Sequence, residues 1–590
     1  MKRLFLLAIA AGLLCSQAPP ALQPGPLTDG SELLPIGWRM KAAGTQVKVG
    51  TFPTSSALSV DGRFLVVLNA GSPASINVIR TDTLAVLSTT PVADAWQGVT
   101  FSPDGRNLYT SGGPRNSVFE FTFSPEGALA LAKEMPGAAA GGFIGDLAIP
   151  SGGRLVYAAD LFHDEILVFN PQSGRVIERH KSARRPYQIL FHPDGRSYFV
   201  SSWAEGSVIQ YRTSTGEEIG RIRVAPHPTG MVLSDRKIPD DETAPPMRLF
   251  VAAANTNNVF AIGIDRSDVM KQVDILNIGF SPGQPAGMTP TALTLSKDQT
   301  RLFVACSNVN AIAVADISES RSRLAGFIPV GAYPAALRLL PDSRLASLNM
   351  HNATISVVPP LTAASLAALT AQAVELVAYD PAEAVPAAPP VENVIYVTTA
   401  TRGANFEKLS KEFTSVTHFI PNAAGAEGLQ WSLAGVPSDF AQRLRGKGFS
   451  PTDITNQPPA GTLLTNARQA GLTTGEFGPA LPETLPATLP RLTVIRLAGA
   501  DADKYLGQIA DTLAKSPAWN KTAIFVVGES APLLIVSPYT RRAAPVSGMF
   551  YNHSSVLRTM ELILKLRPMT IFDASSRPLT DLFSRTIEAQ

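Results

Sequence analysis

Binding and catalysis at neutral pH draw on imidazoles, carboxylates, thiols and aromatic rings. This chain spreads them thinly, with seven histidines and two cysteines in 590 residues. Seven side chains in the first three fifths have types suited to holding a small molecule or an anion: Trp96, His163, Tyr187, Trp203, His227, Tyr333 and His351. Arg184 and Arg185 add positive charge beside Tyr187. The three histidines of this set lie far apart, without the short HxxxH-type spacing of a metal site, and the sequence singles out no carboxylate partner for them. They read as ligand contacts or as hydrogen-bonded loop groups. His180 and His192 fall elsewhere and read as structural. Toward the C-terminus only His418 and His553 remain, with Asp501, Asp503, Glu529 and Asp573 as carboxylates that could in principle meet a metal.

The elements that must position the first set repeat. A turn ending in Arg precedes an apolar strand at Asp61-Gly62-Arg63, Asp104-Gly105-Arg106, Gly152-Gly153-Arg154 and Asp194-Gly195-Arg196, then in looser copies at Arg248, Arg301 and Arg344. Successive arginines are 43, 48, 42, 52, 53 and 43 residues apart, the period of four-stranded propeller blades. In Ser102-Pro103-Asp104-Gly105 the Pro presets φ and the Gly accepts positive φ, which makes a tight turn between strands. The last copy stops after its third strand near Pro359, and Gln46-Val47-Lys48-Val49 supplies the missing one from ahead of the first copy. Seven copies closed this way form a ring without a free sheet edge. Turns between first and second strands share one face. The seven candidate residues fall on the other, around the channel mouth where propellers usually hold ligands.

These phrases resemble the YVTN-type propeller repeats of secreted bacterial proteins, on the Ser-Pro-Asp-Gly-Arg turn and on the Asn-rich second turn (Asn255, Asn257, Asn258; Asn308, Asn310). The resemblance covers residues 45–359 and implies a fold more than a function.

From 360 to 390 the sequence is an Ala- and Pro-rich linker with one helical stretch, Ala363 to Val377. Beyond it, strands at Asn393 to Val397, Leu492 to Ile495 and Ala523 to Val527 alternate with helices at Ala502 to Lys515 and Ser554 to Lys565, the pattern of an α/β layer fold over 391–590. Three stretches, Ala518 to Val527, Ile535 to Arg542 and Tyr551 to Glu561, are similar to the closing part of the bacterial phosphoesterases of the alkaline phosphatase superfamily. Val394 to Val397 and Gly428-Leu429-Gln430-Trp431-Ser432 look like earlier segments of that family. The resemblance implies two metal ions held by Asp and His, clamping the attacking and leaving oxygens. Thr399-Ala400-Thr401-Arg402 stands where the family has a liganding Glu, Leu429 where it has a His, and Ala498-Gly499-Ala500 where it has Asn-Asp-His. Gly528-Glu529-Ser530-Ala531 replaces an Asp pair and a downstream His. His553 is the one weak remnant ligand, and a helix-start hydrogen bond is its plainer role. Asp501 and Asp503 are placed to complement the dipole of their own helix.

Composition bounds the rest. Hydrophobic residues are 45% and charged residues 17%, and 50 basic against 48 acidic residues leave a net charge of +2 with no basic block to track phosphates. Nucleic acid is excluded as a partner. Lys2 and Arg3 before the apolar run Leu4 to Leu14, then Ser16-Gln17-Ala18, read as a signal peptide over 1–18. No later run is long enough to span a membrane. The expected compartment is periplasmic or extracellular, in soluble form. Cys15 offers a lipoprotein alternative that Leu14 disfavours, and without Cys15 only Cys306 remains, so no internal disulfide forms.

The whole reads as a multidomain protein, an all-β seven-bladed propeller followed by an α/β alkaline-phosphatase-like domain. Its expected function is that of a binding or scaffold protein with no cofactor, engaging a small molecule or a protein at the propeller face. The alternatives are a metal-dependent phosphoesterase with rearranged ligands, which would need a divalent metal, and a propeller enzyme acting on a lactone.

Overall fold

The computed structural model describes residues 23–587 except 138, 240, 399–401, 424, 449–451, 479–488, 498, 529–531 and 542–549. The segment 1–18 read as a signal peptide, with Cys15, the Thr399-Ala400-Thr401 replacement, Ala498, and Glu529 with its neighbours therefore lie outside the described residues.

Seven antiparallel four-stranded sheets follow one another as blades: 53–91, 99–136, 144–181, 186–223, 228–277, 290–329, and 334–358. The last holds three strands of its own, and Thr45–Lys48 completes it by pairing antiparallel with Thr354–Val358, Val47 opposite Ile355. Each innermost strand packs on the innermost strand of the next blade, and that of the seventh returns to the first. The result is a closed seven-bladed propeller.

Period-2 alternation explains why the blades stack. In the strand Phe64–Asn69, Phe64, Val66 and Leu68 enter the apolar layer shared with the second blade, whereas Leu65 and Val67 enter the layer shared with the seventh. Every pair of neighbouring blades encloses such a layer.

Helix Ala363–Val377 lies within the Ala/Pro-rich stretch and packs on the outer strand Arg323–Pro329 of the sixth blade, where the Phe327 amide donates to Thr370 Oγ1 at 2.9 Å. Gly326 is needed for this approach, since a Cβ there would meet Thr370 Oγ1 at 2.3 Å.

Beyond the helix a six-stranded sheet runs Thr414–Val416, Leu533–Val536, Thr522–Val527, Asn393–Thr398, Leu492–Arg496, Thr474–Phe477. The last four are mutually parallel. Val394 and Tyr396 face helices Gly425–Ala434, Leu463–Gln469 and His553–Leu564, while Ile395 and Val397 face Ala404–Glu412 and Ala502–Ala514. Burial on both faces accounts for the unbroken apolar runs of the central strands.

The two regions share one apolar core. Trp38, from the segment before the propeller, stacks on Phe572 at 4.5 Å, and Trp431 meets the same ring edge-on at 5.0 Å. These residues, with Val436 and Ile571, join the layer between the fifth and sixth blades.

Candidate functional site

The propeller mouth is where the candidate residues gather, and the backbone explains why. The residue ahead of the proline that opens a blade sits at positive φ in Arg185 (56°), His227 (58°) and Tyr333 (58°). This is a sparsely populated conformation for a non-glycine residue, and proline restricts its predecessor further. The sharp entry turn brings these side chains to the rim. Tyr187 and Trp203 pack at 4.8 Å, Trp96 and Tyr187 at 5.9 Å, Trp203 and His227 at 6.0 Å, and His351 stacks on Tyr333 at 4.6 Å. Six of the seven predicted residues thus line one mouth. His163 stands apart, with Nδ1 2.8 Å from Asp160 Oδ2, a carboxylate partner the sequence did not disclose.

The mouth is filled by the chain itself. Between helices Gly425–Ala434 and Leu463–Gln469 an excursion crosses the propeller face and seats a five-residue helix, Asp439–Arg443, over the channel. Ser438 caps this helix by accepting from the Ala441 amide at 3.1 Å. The Tyr333 hydroxyl donates to Asp439 Oδ1 at 2.6 Å, and Arg443 Nε donates to the same oxygen at 3.1 Å. Arg443 also donates to the Ala335 carbonyl at 3.2 Å and lies over the Tyr187 ring at 5.6 Å. Phe440 packs on Trp203 at 5.1 Å, and the Trp96 indole donates to the Arg443 carbonyl at 3.3 Å. Around the rim Gln442 donates to Asn308, Arg185 to Asp453, Asn255 to the Gln457 carbonyl, and Lys447 pairs with Asp94.

Burial sets the electrostatics. It pushes the His227 imidazole down to about 4, opposed by the Asp439 carboxylate, and leaves the ring neutral at pH 7. Burial, aided by Asp439, holds the Tyr333 hydroxyl well above its ordinary value. On the innermost strand of the third blade, enclosure raises the Asp146 carboxyl to about 7, although the Ile189 and Leu147 amides favour its charged form. Trp203 Nε1, His227 Nδ1 and Asp439 Oδ2 are buried and find no hydrogen-bond partner among the described residues.

Sequence reasoning missed Asp439, Phe440, Gln442, Arg443 and Asp146. Ser438-Asp439 has residue types that start helices, but nothing in the sequence announces a seat in a propeller whose last strand ends at Val358.

In the C-terminal region four of the candidate metal donors, His553, His418, Asp503 and Asp573, are engaged otherwise. His553 opens helix His553–Leu564, and its Nδ1 accepts the Asn422 amide at 3.2 Å while Asn422 Oδ1 accepts the His553 amide at 2.9 Å. Burial pushes its imidazole down to about 4. His418 lies 2.8 Å from the Gln23 side chain. Asp503 stands in the first turn of its own helix and also holds the start of a neighbouring one, Ala404–Glu412, accepting from the Asn405 and Phe406 amides at 2.9 and 2.8 Å. Asp573 accepts from the Met569 and Thr570 amides, and Glu561, which burial and Asp573 raise well above the carboxylate range, is its neighbour. Among the described residues no three His, Cys, Asp or Glu side chains gather as metal ligands. His553, Asp503 and Asp573 are thus spent on backbone amides and are not free to hold a pair of divalent ions.

The face opposite the plug carries the Asp-Gly-Arg turns. A cleft of about 520 Å³ opens there between the second and third blades, where Glu120 is held by the Tyr109 hydroxyl at 3.2 Å and by Lys133 at 3.3 Å. No helix among the described residues is long and apolar enough to cross a membrane.

No protein-family model and no curated protein matches the chain. Among solved structures, a chain of the Kuenenia stuttgartiensis hydrazine synthase aligns with 54% of this chain and 99% of its own at 15% identity, with a TM-score of 0.43. 6-Phosphogluconolactonase-like proteins of Bacteroides fragilis and Bacteroides uniformis align with 53% of this chain and 96% of theirs at 19% and 18% identity, with TM-scores of 0.41 and 0.40.

Proposed function

We propose that this is an exported binding or scaffold protein, a propeller joined to a phosphoesterase-like region that performs no phosphoryl chemistry. One observation carries the reading. The Tyr333 hydroxyl at the mouth, and His553 and Asp503 in the C-terminal region, are engaged by the chain's own backbone and side chains. A lactone-cleaving propeller would need an open mouth, and residues 438–447 close it. A phosphoesterase with rearranged ligands would need carboxylates and imidazoles free to converge, whereas the His553 imidazole accepts the Asn422 amide and Asp503 holds a helix start. Export through residues 1–18 and independence from cofactors belong to the same proposal.

The test is hydrolysis of an aryl phosphate by the purified full chain with Mn²⁺, Zn²⁺ or Mg²⁺. Background rates are expected with every ion. Metal-dependent turnover abolished by His553→Ala would overturn the reading in favour of the phosphoesterase.

A further inference from the structure

We propose that the propeller mouth is a polypeptide-recognition site, occluded in cis by the chain's own helix Asp439–Arg443. Its partner is a segment carrying an acidic residue, an aromatic one directly after it, and an arginine four positions after the acid. The inference rests on reading the protein as a binding protein and names the partner chemistry of its mouth.

The occupant defines the specificity. The Tyr333 hydroxyl reads the carboxylate at 2.6 Å, the Trp203 ring receives the aromatic side chain at 5.1 Å, and the Ala335 carbonyl with the Tyr187 face takes the guanidinium. A planar donor fork over an aromatic face is a geometry lysine reproduces poorly. The rim adds charge recognition, with Asp94 taking Lys447 on one side.

Three features make the occupant exchangeable. First, the receptor supports itself: Trp96, Tyr187 and Trp203 pack on one another, Trp96 also meets Phe143 edge-on at 5.3 Å, and Tyr333 stacks on His351, all without the plug. Second, the excursion adds nothing to the apolar cores of the region it leaves. Phe440 and Leu444 belong to the apolar cluster of the mouth, no described residue from 437 to 457 belongs to the apolar cores on either face of the C-terminal sheet, and the ties back to helix Gly425–Ala434 are polar, Arg445 to Glu427 and Gln430 to Asn456. A five-residue helix also has no stability of its own. Third, the fit is incomplete. Trp203 Nε1, His227 Nδ1 and Asp439 Oδ2 stay buried without a partner among the described residues, and each such group weakens the closed state. A partner that offers an acceptor near the indole gains what the cis segment forgoes.

The experiment uses the full chain and a fluorescein-labelled synthetic peptide with the sequence of residues 436–447. Phe440→Ala with Arg443→Ala weakens the cis occupant, and this variant is expected to bind the peptide at least ten-fold more tightly than the wild type. Adding Trp203→Ala should abolish the gain, and a scrambled peptide should not bind. Equal or absent binding by wild type and variant, with far-ultraviolet circular dichroism unchanged, overturns the proposal. Should the variant misfold, hydrogen exchange on the wild type decides. Amides of 438–447 exchanging at least ten-fold faster than those of Phe64–Asn69 and Leu492–Arg496 support it, and equal protection overturns it. Peptide binding that fails sinks the exchange alone, whereas metal-dependent turnover sinks the binding reading beneath it.

Discussion

At the scale of single residues the decisive pair is Asp439 and Arg443, whose side chains are 0% and 2% exposed. A buried ion pair adds little net stability, but removing one partner strands the other charge and costs about 3–5 kcal/mol. Asp439→Ala is therefore expected to destabilise the closed mouth by that order, and Asp439→Leu with Arg443→Met to recover most of it. Urea unfolding followed by tryptophan fluorescence checks this, and an unaffected single variant would show that the helix is not seated. His227 gives a pH dependence of known sign. Its folded value of about 4 lies below the ordinary imidazole value of 6.5, so its contribution is complete above pH 6.5 and is lost as pH falls toward 4. The loss amounts to about 3 kcal/mol at most. His227→Gln should flatten the acid limb of a stability-versus-pH curve, and an unchanged limb would place the imidazole in water.

At the scale of elements, ring closure by Thr45–Lys48 is the feature most open to test. Val47 is buried between the seventh and first blades whereas Lys48 points outward. Val47→Asp is expected to lower the thermal midpoint by several degrees and to raise the fraction eluting as aggregate, since an opened ring exposes sheet edges. Lys48→Glu should change neither, and a thermal midpoint indifferent to both substitutions would mean that the strand does not close the ring. This element was legible in the sequence because the final copy lacked a strand and an alternating segment stood ahead of the first. The helix Ala363–Val377 and the central strands of the C-terminal sheet were legible for another reason, a helix-forming or apolar run between breakers. The excursion that seats helix Asp439–Arg443 was not. It has neither, and its position depends on docking to loops far away in the chain. The role of Asp503 was hidden likewise, because a helix start can be held by a side chain from any neighbour in space.

At the scale of the whole molecule, the apolar cluster of Trp38, Trp431, Val436, Ile571 and Phe572 with the fifth and sixth blades joins the propeller and the C-terminal region through one shared core. A single thermal transition is expected for the full chain, with Trp38→Ala lowering its stability by about 3–5 kcal/mol. Two separated transitions in calorimetry would show instead that the halves fold independently. The seated excursion is the centre of the account, since it turns a ring of aromatic and imidazole side chains from an open ligand site into an occupied one. Zero-length carbodiimide cross-linking followed by peptide mapping tests it most directly, because Lys447 touches Asp94 across the mouth and only carboxylates in contact with its amine can couple. The account predicts an intramolecular Asp94–Lys447 link in the monomer. A Lys447 that couples only to carboxylates away from the propeller mouth, or to none, would contradict it.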